Sequence, residues 1–111
     1  MKTTYRLPSG LRDKMRDKAR QLYGAKGKSR WVREAVIELL NSEPVLQSVG
    51  AGEDLVQNNV IDVVDLGDEL PQRMERAMVL LRRQDPLMEG VQSAIIRAAI
   101  RRRLASDDPG S

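Results

Sequence analysis

The chain has 111 residues, of which 41% are hydrophobic and only 3% aromatic, with one tryptophan, two tyrosines and no phenylalanine. Such a length buries one modest core, or two small modules sharing one, and a core of Leu, Val, Ile, Met and Ala suits helices better than a large sheet. There is no cysteine or histidine, which removes disulfides, thiol nucleophiles, the usual zinc ligands and the commonest general base; no cofactor is expected and an enzyme is the least favoured class.

The formal charge of +3 hides a pattern. Residues 1–42 carry 11 Lys/Arg and 4 Asp/Glu, residues 43–72 carry 7 acids and no base, and residues 73–111 carry 8 bases and 5 acids. An anionic partner would therefore meet the first segment most strongly, although basic helices are also commonly just solvated faces. No apolar run approaches the roughly 18 residues that span a bilayer, and the start lacks the apolar core of a signal peptide. The expectation is a soluble, cytoplasmic protein with no membrane partner.

In chain order, Lys2–Leu7 alternates as a strand does, with Thr3, Tyr5 and Leu7 on one face and Lys2, Thr4 and Arg6 on the other. A lone strand leaves backbone groups unpaired, so a second strand is expected. Pro8-Ser9-Gly10 ends it. Leu11, Met15, Ala19 and Leu22 then mark one apolar face of a helix that ends near Tyr23. Gly24–Gly27 reads as a tight turn, and a second helix starts at Lys28-Ser29-Arg30 with Val32, Ala35, Val36, Leu39 and Leu40 on its inner face, ending near Asn41. Trp31 is expected at the edge of the core.

Residues 43–59, interrupted by Pro44, Gly50 and Gly52, read as a linker. The plan then repeats. Val60–Leu66 is rich in β-branched residues and reads as a strand, Gly67-Asp68 breaks it, and Leu70, Met74, Ala77 and Leu81 mark a helix face. In the turn Gln84-Asp85-Pro86, Asp85 can cap and Pro86 can take a first helical position. The last helix carries Val91, Ile95, Ile96, Ala99, Ile100 and Leu104, with Arg101-Arg102-Arg103 in its final turns, where cations favour the helix dipole. Residues 106–111 read as a tail.

The halves align. Leu7, Leu11 and Met15 map onto Leu66, Leu70 and Met74 at a shift of 59, and Ser29, Val32, Arg33 and Ala35 onto Ser93, Ile96, Arg97 and Ala99 at a shift of 64, so the insertion falls in the turn. The division is thus 1–42 for the first copy, 43–59 for the linker, 60–105 for the second copy and 106–111 for the tail.

A short alternating strand, a Leu-x-x-x-Leu-x-x-x-Met entry into the first helix, a glycine turn and Ser-x-x-[Val/Ile]-Arg-x-Ala opening the second helix resemble the ribbon-helix-helix proteins of the Arc and MetJ type. The resemblance covers both copies. It implies a mainly α fold with a short two-stranded antiparallel β-ribbon and four helices around one shared core. It also implies sequence-specific binding of double-stranded DNA, with the ribbon in the major groove and no catalysis. By the same resemblance Lys2, Thr4 and Arg6 read bases, and Lys28, Ser29 and Arg30 clamp a phosphate, with Ser93 the weaker equivalent in the second copy. Plain helix capping is the other reading of Ser29.

The second copy departs from the pattern. Ile61, Val63 and Asp65 stand where the first has Lys2, Thr4 and Arg6, a carboxylate there would be repelled by phosphates, and Val91-Gln92-Ser93 lacks one cation at the clamp. The second half is not expected to read DNA as the first does. About 16 linker residues reach roughly 50 Å, and tethering favours pairing of the two halves within one chain, a pseudo-symmetric monomer, over a homodimer. The roles implied are transcriptional regulation, as a repressor, or accessory function in the relaxosome of a conjugative plasmid. The alternative is a protein-interaction module, an antitoxin or relaxase-binding adaptor, whose acidic, apolar second strand binds a toxin or relaxase.

Overall fold

A computed structural model describes residues 2–42, 49–50, 53 and 57–106. In order these form strand β1 (Lys2–Leu7), helices α1 (Ser9–Tyr23) and α2 (Lys28–Leu40), strand β2 (Val60–Asp65), and helices α3 (Leu70–Gln84) and α4 (Val91–Ser106). The fold is mainly helical with one two-stranded antiparallel sheet, and strand, helix, helix occurs twice along it. None of the described helices is long and apolar enough to cross a membrane.

The strands pair within the chain, Lys2 opposite Asp65, Thr4 opposite Val63 and Leu7 opposite Val60. Strict alternation in β1 buries Thr3, Tyr5 and Leu7 and exposes Lys2, Thr4 and Arg6. In β2 it buries Asp62 and Val64 and exposes Ile61 and Val63. Applying the shift of 59, Thr4 and Val63 are equivalent positions, and they face each other at the middle of the ribbon. The central pair therefore lies on a local pseudo-twofold axis.

Beneath the ribbon, α2 packs against α4, with β1 lying on α4 and β2 on α2, while α1 and α3 each touch both central helices. The core that results is one cluster drawn from both halves, including Leu7, Met15, Val36, Leu39, Met74, Ile95, Ile96 and Ile100. The Leu/Met positions that align between the halves all contribute to it: Leu7, Met15, Leu66, Leu70 and Met74 are buried and Leu11 partly so.

Three local expectations change. Leu22 is 55% exposed, and Tyr23 turns inward instead. Met15 and Ala19 lie on a four-residue row, and the next step of that row is Tyr23, whose Cβ sits where a Cβ on Gly27 would have to go, at 2.2 Å. Trp31 is fully buried at the centre rather than at the edge, because its ring is covered by α4, from which the Arg103 guanidinium lies 4.8 Å from the ring centroid and donates to the Trp31 carbonyl at 2.7 Å. Pro86 is not at a first helical position. It lies in the turn, where the Asp85 carboxylate accepts from the Leu87 N–H at 3.2 Å and the Asp85 carbonyl from the Met88 N–H at 3.1 Å. The helix waits until Val91, after Gly90 at φ 58°.

Most of the segment read as a linker lies outside the described residues, but Val49 is buried and Glu53 is docked on α4. The Glu53 carboxylate takes a bidentate pair from Arg97, at 2.8 and 3.1 Å, and a further bond from Arg101. Burial would raise the Glu53 carboxyl, but these hydrogen bonds outweigh it and hold it below its ordinary value of 4.5. A depressed carboxylate contributes stability above its unfolded value and loses it as pH falls through the folded one. Urea unfolding of Glu53→Gln is thus expected to show its full deficit at pH 7, and the deficit should shrink below about pH 4.5 as the parent's own carboxyl protonates. A constant deficit across that range would show that the charge on Glu53 contributes nothing.

Candidate nucleic-acid interface

A two-stranded ribbon has two open edges, and bare edges are where sheets fail or aggregate. Here each edge is held at one residue, and by the same device. On α2, Ser29 and Arg33 lie one helical turn apart and face β2. The Ser29 Oγ accepts from the Asp65 N–H at 3.0 Å, and the Arg33 guanidinium donates to the Asp65 carbonyl at 3.0 Å. On α4, the Ser93 Oγ accepts from the Arg6 N–H at 3.2 Å, and the Arg97 guanidinium donates to the Arg6 carbonyl at 2.8 Å. Each half's second helix thus grips the other half's strand, at positions that are themselves equivalent under the shift of 59.

Of the residues expected at a phosphate clamp, three are engaged within the fold. Ser29 and Ser93 hold the ribbon as described, each hydroxyl oxygen accepting a backbone N–H. Helix capping is not what Ser29 does: α2 is capped by Gly27 and has no side-chain cap. The Lys28 ammonium bonds Asp62 Oδ1 at 2.7 Å. Asp62 is 5% exposed and also has Arg16 at 3.7 Å, so two cations compensate a carboxylate that burial would otherwise make costly. Tyr5 packs beside it, and burial, reinforced by the Asp62 charge, pushes the Tyr5 hydroxyl above its ordinary value. Arg30 remains on the surface, 61% exposed, 4.0 Å above the Tyr23 ring and 3.9 Å from Glu34.

The first-turn N–H groups of α2, at Lys28, Ser29 and Arg30, have no intrahelical acceptor by geometry, and those of α4, at Val91, Gln92 and Ser93, are alike. Through the two serines these helix ends are fixed at opposite ends of the ribbon, α2 beside the Lys2/Asp65 pair and α4 beside Arg6/Ile61. Between them the outward face presents Lys2, Thr4 and Arg6 in one row and Ile61, Val63 and Asp65 in the other. Side chains two residues apart in a strand are separated by about 7 Å, the rise of about two base pairs. Compared with protein-family models, curated proteins and solved structures, the chain matches none.

Asp65 stands at the outward position expected of it, with its carboxylate turned to the chain that follows. Its Oδ1 accepts the Gly67 N–H at 3.0 Å, which holds the carboxyl below its ordinary value and closes the turn where Gly67 takes φ 75°. Arg33 and Arg97 were not singled out as functional residues. Their signal was legible nonetheless, as the Ser-x-x-x-Arg spacing that recurs at Ser29/Arg33 and Ser93/Arg97.

Proposed function

We propose that this chain is a tandem ribbon-helix-helix protein that binds double-stranded DNA sequence-specifically, as a single-chain pseudo-dimer. The observation that carries the reading is the outward row of Lys2, Thr4 and Arg6 on a two-stranded ribbon whose ends are flanked by two helix N-termini. A two-stranded ribbon fits the major groove, which is about 12 Å wide and presents a distinct pattern for every base pair. In this reading Arg6 and Lys2 donate to guanine O6 and N7, and Thr4 meets a base edge. The backbone N–H groups at the start of α2, together with the Arg30 guanidinium and the Ser29 hydroxyl proton, take a phosphate, and the start of α4 with Ser93 takes another less strongly. The chain performs no catalysis, and its role is that of a transcriptional regulator or a plasmid-transfer accessory protein.

Affinity against salt tests this directly. Neutralising about four phosphates makes log affinity fall with log salt at a slope near −3.6, roughly a hundredfold loss between 50 and 200 mM. An Arg6→Ala variant should lose about 1–3 kcal/mol of discrimination between selected and random duplex. Equal loss on both would place Arg6 on the backbone. Exposed Ile61 and Val63 favour one other reading, in which β2 binds a protein such as a toxin or relaxase; binding indifferent to salt would support it.

A further inference from the structure

The ribbon's outward face is chemically lopsided. β1 contributes two cations and a hydroxyl, while β2 contributes Ile61, 56% exposed, and Val63, 42% exposed, with the partly exposed Asp65 at its end. Isolated exposed apolar side chains are ordinary on protein surfaces. These two differ in that they are successive outward positions of one strand, lying directly opposite Arg6 and Thr4. With the Thr4 methyl they form an apolar strip inside a face that is otherwise charged. The ribbon that carries it, with six-residue strands, is roughly 20 Å long and 10 Å wide, which fits a major groove about 12 Å wide.

Resting on the DNA-binding reading above, we infer that β2 reads thymine, with Ile61 and Val63 packing on C5-methyl groups in the major groove. The thymine methyl is the one apolar feature that a base pair displays there. Both side chains are β-branched and held to few rotamers, so they present methyls in fixed positions with little entropy to lose. The register then orders the site. Val63 shares the central pair with Thr4, and Ile61 shares one end with Arg6, while the other end has Lys2 opposite an Asp65 whose carboxylate closes the turn. The preferred duplex is consequently non-palindromic, although the backbone that reads it is pseudo-symmetric. Thymine is required at the centre and at the Arg6 end, and not at the Lys2 end.

The test is a binding-site selection from random duplex, followed by replacement of each selected thymine with deoxyuridine, which lacks only the C5-methyl. Two positions, at the centre and one end, should each weaken binding by about fourfold, the effect of one buried methyl. In Val63→Ala and Ile61→Ala, respectively, that loss should vanish. Both sites are on the surface, and thermal melts verify that the variants fold. A palindromic selected site, or deoxyuridine that weakens parent and variants equally, overturns thymine reading while leaving DNA binding intact. If no sequence is enriched and binding ignores salt, the DNA-binding reading itself falls, and this inference with it.

Discussion

Arg97→Met is expected to destabilise the protein by about 3 kcal/mol, at the lower end of what breaking a buried ion pair costs. The side chain is 8% exposed and serves two partners, the Glu53 carboxylate and the Arg6 carbonyl. Removing it leaves the edge carbonyl without its donor and the Glu53 carboxylate with one cation in place of two. Arg101 stays on Glu53, which keeps the cost from the upper end of the range. In a domain whose total stability is about 5–15 kcal/mol, that is a large fraction, and urea unfolding reads it directly. The equivalent change on the other half, Arg33→Met, removes the bond to the Asp65 carbonyl and a cation near the partly exposed Asp65 carboxylate, and should cost about 1 kcal/mol. Glu53→Gln should cost less in the Arg97→Met background than in the parent, since only Arg101 then remains on the carboxylate. Equal costs for the two arginines would mean that the Glu53 contact contributes nothing.

Trp31→Ala is expected to cost about 3–5 kcal/mol, the range for emptying a large aromatic site in a packed core. A tryptophan at the core's edge would cost far less, so the number distinguishes the two placements. Trp31→Phe refines the test. The indole Nε1 is buried and has no hydrogen-bond partner among the described residues. Phenylalanine therefore gives up volume but no hydrogen bond, and its deficit should be well under half that of alanine. A large deficit for phenylalanine would mean that the indole nitrogen is bonded after all.

Much of the architecture was legible from periodicity. A period of two placed Lys2, Thr4 and Arg6 on one face and Thr3, Tyr5 and Leu7 on the other. A period near four placed Met15, Ala19, Met74, Ala77 and Leu81 inside. Internal repetition pointed to two copies of one plan. What periodicity misplaced were residues at the ends of elements. Leu22 and Tyr23 are adjacent in the last turn of α1, and which of them turns inward depends on the turn that follows. Trp31 stands in the first turn of α2, and only the covering helix α4 makes its place central.

The candidate interface divides along the same line. That a basic row exists was written in the first six residues, because alternation in a strand is local geometry. Which of the clamp groups also bond within the fold was not, since nothing near Ser29, Ser93 or Lys28 in the chain names their partners. Those partners, Asp65, Arg6 and Asp62, lie 34 to 87 residues away in the chain.

By itself the sequence determined which residues share a face and that one plan is used twice, because each follows from spacing within a few residues. Tertiary structure alone decided that each half's second helix locks the other half's strand, that Glu53 docks on α4, and which residues of the two strands stand opposite each other. The reason is physical. A buried serine, arginine or carboxylate takes its role from whichever distant backbone or charge satisfies it, and that choice is made only when the two halves close on each other.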